Sequence, residues 1–150
     1  MYLIDNSCCL DILSYAKGVL EGGEYTCVVI CSQKIFSSKK RGVAPLLELY
    51  DKLGDCGLAG GVAADKVVGK AAAMLYALLG IKRIYAGVVS EPALRTLDTH
   101  GITVSYDILT DAIKNRAGDG YCPMETAVMD IDSLCEGLAA VRKRLEQLKG

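Results

Sequence analysis

The apolar positions of the chain follow two patterns, a helical spacing of three or four residues and short runs rich in β-branched side chains. The helical spacing predicts helices at 7–21, 44–53, 66–79, 93–99 and 131–148, with a further helix start at 121–125. The β-branched runs predict strands at 25–31, 35–37, 58–63, 81–89 and 102–109.

The order of these elements predicts an α/β fold. The strands at 25–31 and 35–37 are separated by three polar residues and form a predicted hairpin. From residue 58 onward strand and helix alternate, which favours parallel strands joined by crossover helices. No internal repeat and no long linker divides the sequence, so a single domain over residues 1–150 is expected.

The last predicted helix carries a heptad-like stripe of apolar residues. Its members are spaced alternately by three and four residues and are Ile131, Leu134, Leu138, Val141, Leu145 and Leu148. Such a stripe either docks against the rest of the domain or pairs with a second subunit. The segment 131–150 is therefore expected to be a C-terminal addition that serves docking or oligomerisation.

Composition changes this picture little. Of 150 residues, 51% are apolar and 23% charged, and the formal net charge is −1, as in a globular domain. The balanced charge predicts no nucleic-acid partner. The apolar run 71–79 is too short to cross a bilayer, so no membrane partner is expected.

The cysteine and histidine content bears on the compartment and on metal binding. Seven cysteines, an odd number, follow a start that does not resemble a signal peptide, which predicts a reduced, cytoplasmic protein. There is no CxxC pair and a single histidine, His100. We therefore expect no metal site and no cofactor.

The leading candidate site is the predicted start of the helix at 66–79. Asp65 is placed to cap that helix, Lys66 and Lys70 lie one turn apart on one face, and Gly69 leaves space for a ligand. A helix N-terminus with two ammonium groups favours a phosphate or carboxylate. The alternative is an ordinary N-cap with two solvated lysines.

Roles at this site follow from residue type. Asp65 orients the pocket or acts as an acid or base, and Lys66 and Lys70 hold the anion. The preceding segment contributes small residues, Gly61 and Ala64, where another backbone or a ligand can come close.

Cys122 is the second candidate. As an N-cap it would place Pro123 in the first helical position and Glu125 at the spacing of a capping box. A thiol at a helix N-terminus has its thiolate stabilised, which suits a nucleophile or a ligand contact. The alternative is a small capping or core residue.

Three further segments are weaker candidates. Ser90 and Glu91 follow a predicted inner strand, where α/β proteins bind ligands, although they also suit an N-cap and a first-turn acid. Asn115 and Arg116 lie in a polar loop that either clamps an anion or is merely solvated. The basic loop 37–41 is placed to close over the same pocket.

The element order, with Ala63-Ala64-Asp65 at the predicted helix start, resembles the cytidine deaminase-like fold. In that fold a helix opens with His/Cys-Ala-Glu, and a later one opens with Pro-Cys-x-x-Cys. Here Ala63-Ala64-Asp65 and Ser90-Glu91-Pro92-Ala93-Leu94-Arg95 fall at those places without any of the zinc ligands. The departure implies a scaffold without the zinc chemistry.

The chain is also similar to an uncharacterised family of domains of unknown function assigned to that fold. The similarity covers about 11–125 and is most specific at 62–72 and 122–125. It implies a three-layer α/β/α domain with a mixed sheet and, because deaminase-like domains commonly associate, a homodimer. It brings no established reaction.

Together these observations lead to three functional expectations. The first is a metal-free protein or enzyme that binds an anionic, nucleotide-like small molecule at the start of the 65–70 segment. The second is a thiol-dependent transferase with Cys122 as nucleophile. The third is a non-catalytic interaction module whose terminal helix meets the partner.

Overall fold

Five strands form one mixed sheet in the computed structural model, which describes residues 6–115 and 117–149, with side chains from residue 12 onward. The strands are β1 (Cys27–Cys31), β2 (Lys34–Ser38), β3 (Val62–Val68), β4 (Arg83–Ser90) and β5 (Thr103–Thr110). Their order across the sheet is β2-β1-β3-β4-β5. β1 runs antiparallel to β2 and β3, whereas β3, β4 and β5 are parallel. The predicted hairpin and parallel crossovers are thus confirmed.

Helices cover both faces of this sheet. They are α1 (Asn6–Gly22), α2 (Ala44–Leu53), α3 (Lys70–Leu79), α4 (Glu91–Thr99), α5 (Pro123–Val128) and α6 (Leu134–Lys149). α1 packs on β1, β3 and β4, where Val28, Ala64 and Tyr85 are buried. The other face carries α3, which contacts α2, α4, α5 and α6. This is the predicted three-layer α/β/α arrangement with a mixed sheet.

α3 is the centre of the larger apolar core. Met74, Leu75, Tyr76 and Leu79 are each at most 2% exposed. A helix that is apolar around most of its surface has to be packed on most sides, as the residue pattern predicted. None of the described helices combines the length and the apolar character needed to cross a bilayer.

The boundary between β3 and α3 differs from the sequence prediction. The expected strand at 58–63 is instead a turn followed by β3, and the helix begins at Lys70 rather than at Lys66. β3 pairs on one side with β1 and on the other with β4. Two neighbouring strands satisfy the backbone of Ala63, Ala64 and Asp65, so sheet pairing overrides the helical propensity of the alanines.

The last helix also begins later than predicted. α6 starts at Leu134, because Ser133 caps it by accepting a hydrogen bond from Glu136 N to its Oγ at 3.3 Å. Val141 is buried, and α6 lies against α3 and α5. Leu148, by contrast, is 58% exposed. Most of the stripe therefore docks within the chain, while pairing with a second subunit stays a prediction.

Candidate functional site

A cavity of about 780 Å³ opens at the carboxyl end of β3, beside the first turn of α3. The start of β1, the loop 41–44 and the loop 113–115 form its sides, and the segment 122–125 and the end of α6 complete it. Its volume lies in the range of small-molecule sites, and the carboxyl ends of parallel strands are where α/β proteins bind ligands.

The structure brings half of the residues predicted for the site to this cavity. Those that line it are Asp65, Lys66, Gly69, Asn115, Cys122 and Glu125. Those that do not line it are Gly61, Ala64, Lys70, Ser90 and Glu91. Arg116 lies outside the described residues.

The small residues Gly61 and Ala64 face protein rather than a ligand. A Cβ atom on Gly61 would lie 2.9 Å from the carbonyl oxygen of Leu58 and 3.2 Å from Cβ of Cys31. Ala64 is fully buried on the face of the sheet that α1 covers. Their small size therefore serves close packing within the chain.

Lys70 is turned away from the cavity. It is 8% exposed, and its Nζ donates a hydrogen bond to the carbonyl oxygen of Met129 at 3.1 Å. The carboxylate of Asp132 lies 3.7 Å from the same ammonium group. Because Lys66 is in a strand and Lys70 in a helix, the two do not share a helix face, and the predicted lysine pair is wrong.

Asp65 is a buried strand residue and not the cap of a helix. Its Oδ2 accepts a hydrogen bond from Tyr76 Oη at 2.7 Å, and its Oδ1 accepts one from the backbone N–H of Val67 at 3.3 Å. Burial raises the pKa of Asp65 to about 7, although these hydrogen bonds oppose the rise. A carboxyl group that titrates near neutral pH therefore lies on the cavity wall.

A thiol continues the hydrogen bonding behind Asp65. Cys27 Sγ lies 3.3 Å from Tyr76 Oη, and both residues are buried. Burial is also the main reason that the pKa values of the Cys27 thiol and the Tyr76 phenol lie above their ordinary values. The sequence prediction missed both residues, since each reads as an ordinary core position in a strand or helix.

The carboxylate of Glu125 joins the starts of two helices. Oε1 accepts a hydrogen bond from the N–H of Ala71 in α3 at 3.1 Å, and Oε2 accepts one from Ser90 Oγ at 3.4 Å. Ser90 itself caps α4, as predicted, by accepting from Ala93 N at 3.2 Å. Negative charge near a helix N-terminus is stabilising. Glu125 therefore ties α5 to α3 and α4.

The capping box predicted for Cys122 and Glu125 is wrong. Cys122 precedes α5, but its side chain makes no capping bond, and its N–H donates to the carbonyl oxygen of Ile113 at 2.9 Å. Glu125 reaches across to α3 instead of back to Cys122.

Cys122 is half-buried on the cavity wall, whereas Glu91 is exposed at the start of α4.

Three cationic residues line the cavity from three separate segments. They are Arg41 in the loop before α2, Lys66 in β3 and Lys114 in the loop after β5. Among the described residues, none of the three lies within ion-pair distance of an Asp or Glu carboxylate. Lys114 was missed by sequence reasoning, although it immediately precedes the predicted Asn115.

The starts of α3 and α4 do not provide the ligands of a deaminase zinc. α3 begins at Lys70 after Gly69, and α4 begins at Glu91 after Ser90, without a cysteine or histidine at either start. The side chain that bridges the two starts is the Glu125 carboxylate. Over the part of the chain that the structure describes, no three His, Cys, Asp or Glu residues are grouped to hold a metal ion. These residues do not fit a zinc ion.

Comparison with known proteins connects this fold to a family. The family model described as "TM1506: Domain of unknown function (DUF1893)" matches residues 15–145. A crystal structure of a DUF1893 family protein (TM1506) from Thermotoga maritima superposes with a TM-score of 0.79 and 27% sequence identity. The match covers 97% of this chain and 93% of that chain. No curated protein matches the sequence.

Proposed function

Since the chain belongs to the DUF1893 family of domains of unknown function, we propose its function from the cavity: it binds an anionic, nucleotide-like small molecule there. The ligand lies beside the first turn of α3, where Glu125 already accepts from one of the N-terminal N–H groups, that of Ala71. The proposed site is therefore close to the helix end that the sequence indicated.

The three cations carry the proposal. Arg41, Lys66 and Lys114 come from different segments yet line one cavity, and no described carboxylate lies within ion-pair distance of them. Scattered surface lysines are usually only solvated. Three cations around one concavity raise the local potential and attract an anion, which supplies their counter-charge. Lys114 also contacts an aromatic ring, with Nζ 4.8 Å from the centroid of Tyr121.

The rest of the cavity suits the uncharged part of such a ligand. Val43, Met124 and Leu145 contribute apolar surface against which a ring can pack. Asp65 and Asn115 add hydrogen-bonding groups to the same wall. A molecule with an apolar or aromatic body, a polar edge and an anionic group matches these three surfaces, and nucleotides have that construction.

Calorimetry and thermal-shift measurements with UDP-glucose, ADP-ribose and nucleoside monophosphates test the proposal. We expect at least one of these probes to bind and to raise the melting temperature. Lys66→Ala and Lys114→Ala are each expected to weaken binding by roughly tenfold, since a charge-assisted contact contributes about 1.5 kcal/mol.

A matched control comes from the opposite end of the sheet. Lys82 is exposed, precedes β4 and does not line the cavity. Lys82→Ala removes the same charge from the protein and is expected to leave the affinity unchanged. If Lys82→Ala and Lys66→Ala weaken the affinity equally, the effect comes from the net charge of the protein. That result would contradict a site at the end of β3.

A thiol reaction is the second candidate, favoured by the position of Cys122 on the same wall. Cys56 and Cys135 are exposed and provide an internal comparison. If Cys122 is the nucleophile, iodoacetamide modifies it faster than these two residues, and a bound nucleotide probe protects it. Slower modification than at Cys56 and Cys135 rules out this candidate.

Three finer features accompany the proposal. We infer that the arrangement is a cytidine deaminase-like fold, because α1, the β1–β2 hairpin and the later β–α–β units follow the order in which that fold has them. A homodimer and a cytoplasmic location are retained as predictions. Equilibrium sedimentation tests the first of these two, and cell fractionation tests the second.

A further inference from the structure

We propose that Asp65 is the proton-exchanging residue of the cavity, held in place by Tyr76 and Cys27, and that anion binding is coupled to protonation of its carboxylate. This inference rests on the proposed function. It adds the residue whose protonation changes the affinity of the cavity for an anion. It is independent of the predicted role of Asp65 as a helix cap, because Asp65 lies in β3 and caps no helix.

The three side chains form a hydrogen-bonded chain with one direction. Tyr76 has a single hydroxyl hydrogen and donates it to Asp65 Oδ2 at 2.7 Å. Cys27 Sγ, 3.3 Å from Tyr76 Oη, must then be the donor in that contact. Both donors therefore point toward the carboxylate of Asp65, which is the end of the chain. Asp65 and Cys27 both line the cavity.

Asp65 is the member of this chain that changes charge near neutral pH. Burial keeps the pKa values of Cys27 and Tyr76 above their ordinary values, so both retain their protons. Burial also raises the pKa of Asp65, to about 7. A proton that reaches or leaves the carboxyl group has to pass through the cavity, because the core lies on its other side.

The charged groups around Asp65 connect its proton to a bound anion. Lys66 on β3, Arg41 before α2, Lys114 after β5 and Glu125 on α5 all line the same cavity. When Asp65 is ionised, its charge partly cancels the field of the three cations. When it is neutral, that field acts more strongly on an anion. Binding of an anion and uptake of a proton by Asp65 therefore favour each other.

The first experiment measures the carboxyl group directly. In the ligand-free protein, the ¹³Cγ resonance of Asp65 is followed by NMR from pH 4 to 9, and its midpoint is expected at about 7. Tyr76→Phe removes a hydrogen bond that lowers the pKa of Asp65, so its midpoint is expected to move upward. Tyr85→Phe is the matched control, because Tyr85 bonds to Asp107 on the other face of the sheet.

The second experiment measures binding of UDP-glucose, whose phosphate charges do not change between pH 5.5 and 8.5. The wild-type protein is expected to bind it roughly tenfold more tightly at the lower pH, as expected for removal of one nearby charge. Asp65→Asn is expected to bind it equally well at both values. Tyr76→Phe is expected to retain tight binding to a higher pH than the wild-type protein.

Each outcome decides between the two proposals. An Asp65 midpoint below pH 5, or the same pH dependence in Asp65→Asn as in the wild-type protein, overturns the inference. If UDP-glucose binds without pH dependence and Lys66→Ala still weakens it, the proposed function stands while the inference falls. If neither UDP-glucose, ADP-ribose nor a nucleoside monophosphate binds at any pH, both are overturned.

Discussion

The Glu125 carboxylate occupies the space into which a side chain at Gly69 would extend. A Cβ atom on Gly69 would lie 2.5 Å from Cδ of Glu125. The φ angle of Gly69 is −97°, which any residue can adopt, so glycine is needed here for space and not for backbone freedom. A residue 56 positions later in the sequence therefore determines which side chain fits before α3.

Gly69→Ala is expected to destabilise the protein by about 1–3 kcal/mol, as overpacking of a buried contact does. The added methyl group forces the Glu125 carboxylate away, which weakens its hydrogen bond to Ala71 N. Urea denaturation followed by circular dichroism measures the change in the free energy of unfolding.

Two comparisons make this prediction specific. Gly18→Ala in α1 meets no atom of the described residues within 4 Å and is expected to stabilise the protein by up to about 1 kcal/mol, as alanine does in a helix. In a Glu125→Ala background, Gly69→Ala is expected to cost less than it does in the wild-type protein. The same cost in both backgrounds would show that Glu125 is not the obstacle.

The boundary between β3 and α3 shows what the residue pattern can predict. Alternating strands and helices, the hairpin and the ends of α2 follow from local periodicity, and they are confirmed. The assignment of Ala63 through Lys66 does not follow locally, because two alanines favour a helix while pairing with β1 and β4 favours a strand. That competition is decided by neighbours distant in sequence.

Ser90→Ala is expected to lower the free energy of unfolding by about 2 kcal/mol, more than the loss of an ordinary helix cap does. Its Oγ accepts from Ala93 N and also donates to the buried carboxylate of Glu125, so the variant loses two contacts. Ser133→Ala is the matched control, since Ser133 caps α6 at an exposed position through Glu136 N alone. Its expected cost is about 1 kcal/mol. Equal losses in chemical denaturation would contradict the contact between Ser90 and Glu125.

Lys70→Met is expected to affect stability but not binding, and Lys66→Ala is expected to affect binding but not stability. Lys70→Met deletes a buried ammonium group that donates to Met129 O, so stability is expected to fall by about 1–2 kcal/mol while UDP-glucose binding is unchanged. Lys66→Ala removes an exposed side chain and is expected to weaken binding without loss of stability. Denaturation and calorimetry on both variants check this. If Lys70→Met binds UDP-glucose more weakly and keeps its full stability, the prediction is wrong and Lys70 contributes to the binding site.

The cavity itself was only partly predictable from the sequence. The residue types of Asp65, Lys66 and Cys122 suit chemistry and predict their place in a site, and all three line the cavity. Lys114 resembles any loop lysine, and Tyr76 resembles any apolar position of a buried helix. Their relation to the cavity depends on how β5 and α3 are placed in three dimensions, and periodicity carries no information about that placement.

Asp65→Asn is expected to stabilise the protein at pH 8 and to have little effect near pH 4. The folded protein raises the pKa of Asp65 from 3.8 to about 7, so between these values the folded state holds a proton that the unfolded state has lost. Wild-type stability therefore falls as the pH rises through this window, by at most on the order of 4 kcal/mol. Asparagine avoids the buried charge and still accepts from Tyr76.

Melting temperatures of both proteins from pH 4 to 8 measure the difference. Asp51→Asn is the control with the opposite sign, because Arg142 lowers the pKa of exposed Asp51. A constant difference between Asp65→Asn and the wild-type protein would show that Asp65 does not titrate in this range.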